Sequence, residues 1–121
     1  MANTFKVVNF AAEPNSAGTP YTMYTVAGST TTVVLGLILT NINTTAVTAE
    51  VELVSTTSNR AGNNNADNGT SFLVKDVSIP AGSSLEVLTG GKVVLETTDV
   101  LRIDCSVADK LSGTLSIMEI T

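Results

Sequence analysis

The segment from Thr30 to Leu53, TTTVVLGLILTNINTTAVTAEVEL, changes character halfway along. In its first half, strict alternation puts Val33, Leu35, Leu37 and Leu39 on one side, and Val34, Gly36 and Ile38 on the other. A run that is apolar on both sides fits a central strand covered on both faces better than an exposed edge. After the polar turn NINTT the alternation becomes clean: Val47, Ala49, Val51 and Leu53 point inward, and Thr48, Glu50 and Glu52 face water. The pattern predicts two consecutive antiparallel strands, the first needing more cover than one sheet can give. A second sheet must close over one side. A neighbouring subunit is expected over the other, where Val34 and Ile38 would otherwise be bare.

The same period of two recurs along the chain, and helical periodicity is hard to find. Strands are predicted over TFKVVNF (4–10) and YTMYTV (21–26), separated by the turn-rich EPNSAGTP. In the second of these strands, alternation sends Tyr21 and Tyr24 to opposite faces. Further strands are expected at 72–77 and 85–88, in KVVLE and DVLRIDCSVA, and in TLSIMEI at the end. In that last strand Met118 and Ile120 share one side, and Leu115 and Ile117 the other. The expectation is an all-β chain, one domain over residues 1–121, folded as an antiparallel β-sandwich of about eight strands with a jelly-roll or immunoglobulin-like topology. One long connection interrupts the rhythm. Residues 55–70, STTSNRAGNNNADNGT, read as an Asn-rich loop or hairpin tip, and loops of that length bind something or move.

Composition sharpens the picture. Of 121 residues, 43% are hydrophobic but only 14% charged and 4% aromatic, with a mean hydropathy of +0.31. The charged fraction lies well below the usual quarter, so Thr, Ser and Asn solvate the surface or a partner covers part of it. The net charge is −5 with no basic run, which argues against binding to nucleic acid or to an anionic membrane, since both need concentrated positive charge. The longest apolar run, Val33 to Leu39, is far shorter than the roughly 20 residues of a membrane helix. MANTFKVVNF has no continuous apolar core, so no secretion signal is expected. The single cysteine, Cys105, alternates with Leu101, Ile103 and Val107 and reads as a small buried hydrophobe.

Candidate chemistry is sparse. The chain has no histidine, which removes histidine-based triads and His-containing zinc sites. AGSTTT and TGGKVV are followed by strands, not by the helix a phosphate loop requires. Glu50 and Glu52 share one strand face about 6–7 Å apart, but on the polar half of an alternating strand, so a solvated face is expected. Asp99 and Asp104 fall on opposite faces. No catalytic residue, metal site or cofactor is expected. Asn63, Asn64, Asn65, Asp67 and Asn68 form a candidate interaction loop; as calcium ligands they would supply one carboxylate among amides, without EF-hand spacing. Val34, Ile38, Met118 and Ile120 form a candidate subunit interface. A glycan-binding module is the competing reading of the loop, although two tyrosines on opposite faces make no stacking platform.

The order YTVAGSTTTVVLGLILTN, AVTAEVEL, FLVKDVSIPAGSSLEVLTGGKVVLETTDVLRIDCS, SGTLSIMEI resembles small β-sandwich structural proteins of tailed bacteriophage virions. The likeness spans about Tyr21 to Ile120, and PAGSSLEVLTGGKVVLETTDVLRI is its most particular piece. It implies a non-enzymatic virion component, foremost a capsid decoration or cement protein, with neck or tail positions as the alternative. Its implied partners are further copies of itself, a trimer at capsid three-fold positions, and the major capsid protein or other virion proteins. No site residue carries over from the resemblance.

Overall fold

A computed structural model describes residues 2–55 and 69–121. These form nine strands: β1 Asn3–Glu13, β2 Tyr21–Thr25, β3 Thr31–Asn41, β4 Val47–Val54, β5 Thr70–Ile79, β6 Ser84–Glu86, β7 Val93–Leu95, β8 Val100–Cys105 and β9 Leu111–Ile120. They pair antiparallel in two sheets. One has the order β1-β9-β3-β6, with β7 also paired to β3, and the other has the order β2-β8-β4-β5. Because β6 and β7 line the same edge of β3 end to end, they act as one interrupted strand. Eight strand positions in this order make a jelly roll, which settles the choice between the two expected topologies. Ser55 donates its backbone N–H to the Gly69 carbonyl, so the base of the β4–β5 connection is closed, and Gly69 stands at that base.

The core lies between the sheets. Val34, Leu37, Leu39, Leu95, Leu111, Leu115 and Ile117 enter it from the first sheet. Met23, Val26, Val47, Ala49, Val51, Ile79, Leu101, Ile103 and Cys105 enter it from the second. The burial of Val34 corrects the expected face assignment. The pairing of β3 with β9 slips between Val34 and Gly36, so Leu35 and Gly36 together occupy one outward step opposite Ser116. That extra residue shifts the phase of the strand. Val34, Leu37 and Leu39 point into the core, while Val33, Leu35 and Ile38 point away from it.

A second bulge, at Met23, has the same consequence in β2. Tyr21 stands opposite Ile103 and Tyr24 opposite Leu101, both core positions. The tyrosines therefore face inward together instead of lying on opposite faces. Tyr21 packs edge-on against Phe10, with ring centroids 5.2 Å apart. Phe10 in turn lies across Gly113, its cross-strand partner on β9. A Cβ at position 113 would fall inside the Phe10 ring.

Lateral neighbours also alter the reading of β4. Glu52 does not face water: it is buried between Arg102 of β8 and Phe72 of β5, its partners on either side. The Arg102 guanidinium donates to Glu52 Oε2 at 2.9 Å. Asp99 lies in the turn between β7 and β8, where its carboxylate accepts from Ser55 Oγ and the Glu96 N–H. Val107 lies beyond the end of β8 and is exposed, so it does not share the burial of Cys105.

At one rim a polar latch joins four strands across both sheets. Glu119 of β9 meets Lys6 of β1 at 2.6 Å through Oε1, and accepts from the Tyr24 hydroxyl of β2 at 2.6 Å through Oε2. The same hydroxyl is 2.7 Å from Thr32 Oγ1 on β3. Hydrogen bonds from Lys6 and Tyr24 hold the Glu119 carboxyl below the ordinary carboxylate range. Burial, reinforced by the Glu119 hydrogen bond, pushes the Tyr24 phenol up to about 12.

Two outcomes follow from these contacts. Gly113→Ala should destabilise the fold by about 1–3 kcal/mol, and by less in a Phe10→Ala background, where the overlapping ring is gone; urea denaturation of the two pairs measures the difference. The latch should give stability two limbs in pH. The Glu119 contribution is complete above the unfolded carboxylate pKa of about 4.3 and is lost as pH falls through its lowered folded value. The Tyr24 contribution is complete below about pH 10 and is lost as pH rises towards about 12. Glu119→Gln should flatten the acid limb and Tyr24→Phe the alkaline limb of the urea midpoint plotted against pH. Unchanged limbs in both variants would mean that the latch does not stabilise the fold.

Candidate assembly interface

The outward face of the β1-β9-β3-β6 sheet is built from residues that pairing places side by side. Phe5 of β1 stands opposite Met118 of β9, Met118 opposite Val33 of β3, and Val33 opposite Val94 of β7. Directly opposed residues in antiparallel pairs point to the same side, so these four make one apolar row across the sheet. Val7 and Leu35 border the row on one flank and Ile120 on the other, with Ile38 one step further along β3. Phe5 is 71% exposed, Val7 64%, Val94 57% and Ile38 45%. Strands lie about 4.8 Å apart and rise about 3.3 Å per residue, so the block of sheet holding these residues, four strands wide and about seven residues long, covers roughly 450 Å², with Ser116 set among the apolar side chains. That is at the size where an exposed apolar patch on a monomer becomes functional. Full burial is worth about 1.5–3 kcal/mol for each large side chain, so a partner on this face would gain more than one anywhere else on the described surface.

Formal charges stay at the borders of this face. Glu86, Lys92 and Glu96 lie along the β6/β7 edge, and Lys110 lies beyond the start of β9. The outward face of the other sheet is the opposite in character. Glu50, Glu52, Arg102 and Asp104 alternate there on β4 and β8, and Lys75 reaches Glu50 at 3.7 Å and Asp76 at 3.6 Å. Phe72, the large apolar residue on that side, lies under the Lys75 ammonium, 4.6 Å from its ring centroid. One face carries an apolar row with a single carboxylate, Glu86, at its edge opposite Ile38; the other is charged, with Arg102 and Lys75 pairing Glu52 and Glu50.

Of the four residues expected at an interface, Ile38, Met118 and Ile120 come together on the apolar face, and Val34 lies in the core. Phe5, Val7, Val33, Leu35 and Val94 complete the face but were not anticipated. For Phe5 and Val7 the signal was present but ambiguous: they alternate with Thr4 and Lys6, and a two-residue period alone would turn the larger apolar pair inward. Asn63, Asn64, Asn65, Asp67 and Asn68 lie outside the described residues.

The charged side holds a shallow depression of about 220 Å³ between Glu50, Asp76, Asp104, Thr48, Cys105 and Ser106, closed by Ala17 and Gly18. Burial pushes the Glu50 carboxyl up, against the pull of Lys75, and Asp104 and Asp76 add to the rise. Glu50 is therefore not the fully solvated carboxylate its alternation implied. Asp104 is engaged structurally, since Oδ1 accepts from the Gly18 and Cys105 backbone N–H groups. Burial likewise pushes the Cys105 thiol up, which leaves it a poor nucleophile. Among the described residues no three acidic or cysteine side chains are grouped to hold a metal ion.

No family profile matches the chain, and no curated protein does so. Two solved structures are similar to the chain at low identity. A Bacillus endospore appendage, one of a family of disulfide-linked pili, is 16% identical, with 99% of this chain and 87% of that chain covered at a TM-score of 0.48. The VP2 subviral particle protein of infectious bursal disease virus is 11% identical at the same TM-score, with 96% of this chain but 32% of that chain covered.

Proposed function

We propose that this chain is a non-enzymatic structural component of a virion, foremost a decoration or cement protein on the head of a tailed phage, and that it docks through the outward face of the β1-β9-β3-β6 sheet. One observation carries the reading: a folded chain with a net charge of −5 leaves an uninterrupted, uncharged apolar row, Phe5, Met118, Val33 and Val94, across one sheet face. A soluble surface of that kind is a place for another protein to sit. The concave site on the opposite side does not compete with it, because its carboxylates are engaged with Lys75 and with backbone N–H groups. The virion setting comes from the sequence resemblance over Tyr21 to Ile120. In that setting the partner on this face is a further copy of the chain, the major capsid protein or another head protein, and the charged face stays exposed, where its acidity keeps particles apart in solution.

Quantitative mass spectrometry and cryo-EM of purified particles test the proposal. The chain should be present in many copies over the head, and Phe5→Glu together with Val94→Glu should abolish its incorporation while leaving it folded. A few copies confined to the vertex or tail would overturn head decoration, and absence from particles would overturn the virion role altogether.

A further inference from the structure

The apolar face has two possible modes of association, and the edges of the sheets decide between them. Strand addition needs an open, regular edge, and each edge of this sandwich carries a feature that resists it. On β1, Lys6 opposes Ile117 and so points to the inner side, and the pairing slips between Phe10 and Glu13. The edge strand β2 is short and carries the bulge at Met23. The β5 edge is irregular between Val74 and Val77, where Lys75 projects and Asp76 adopts a positive φ of 50°. The remaining edge is split into β6 and β7, three residues each. The face itself has no such guard: no charge interrupts the row from Phe5 to Val94.

We infer that this face pairs with the same face of a second copy, sheet against sheet about a two-fold axis. The inference rests on the reading of the face as a docking surface and names its occupant. Apolar exposure among the described residues is concentrated on this one face, so the complementary uncharged surface the protein offers is the same patch. A patch meets itself only in an isologous, two-fold contact. Charge favours the arrangement as well: two acidic chains meet through uncharged surfaces, and their charged faces point away from each other. At roughly 450 Å² from each copy, the pair buries about 900 Å², just under the area of a specific stable interface. Such a dimer forms and dissociates with concentration instead of being permanent. The two-fold contact departs from the three-fold association that the resemblance implies.

Sedimentation equilibrium of the full chain, read from micromolar concentration to about 1 mM, tests this. The parent should pass from monomer to dimer. Phe5→Glu with Val94→Glu should weaken self-association more than about tenfold with an unchanged circular dichroism spectrum, because both side chains are exposed. Phe72→Glu, on the charged face, should dimerise as the parent does. A parent that stays monomeric throughout overturns the self-pairing. If the double variant then also loses particle incorporation, the face docks on another component and the proposed function stands. If it is incorporated normally, the docking face itself is wrong. Equal loss of dimer in Phe72→Glu would place the contact elsewhere.

Discussion

One extra residue in β3 organises this molecule. The central strand of the first sheet is aliphatic on both sides, so its chemistry does not say which side belongs to the core. The slip at Leu35 decides it, turning Val34, Leu37 and Leu39 into the space between the sheets and Val33, Leu35 and Ile38 away. Without that slip the strand would alternate strictly, leaving either Val34 or the Leu37–Leu39 pair out of the core. Because β9 and β7 register against the same strand, the outward row through Met118 and Val94 inherits its position from this step.

The division of labour between the two faces follows. A jelly roll of this size needs one shared core, and two inward faces supply it. The second sheet treats its outward face as a surface, where Arg102 holds Glu52, Lys75 holds Glu50 and backbone N–H groups hold Asp104. The first sheet leaves an apolar row exposed across its outward face. Such a face costs solubility unless something covers it, whereas the edges, the usual route to uncontrolled association, are blunted. The molecule resists strand addition and permits packing, which is the behaviour a subunit of an ordered particle requires.

The rim latch ties this face to the rest of the fold. β1 is an edge strand held principally by β9, and it carries Phe5 and Val7, the two most exposed members of the apolar row. Lys6, between them, turns the other way and binds Glu119, which the Tyr24 hydroxyl reaches from the opposite sheet. The residue that orients the edge strand is thus the same one that keeps its edge from accepting another strand.

Much of this was legible in the sequence because alternation reports burial directly wherever a strand is regular. The all-β class, the sandwich, most strand positions, the buried Cys105 and the common face of Met118 and Ile120 all follow from a period of two. Where the period breaks, inference by alternation breaks with it: Val34 is in the core because of the slip at Leu35, and Tyr21 and Tyr24 face inward together because of the bulge at Met23. Glu52 shows a different limit, since its burial comes from Arg102 and Phe72, neighbours far away along the chain that only sheet order brings beside it. By itself the sequence determined which segments are strands and that aliphatic surface exceeds what one core can hold. Only the tertiary structure decided where that surplus goes, because bulges set the phase of each strand and lateral pairing sets its company, and neither is written in local periodicity.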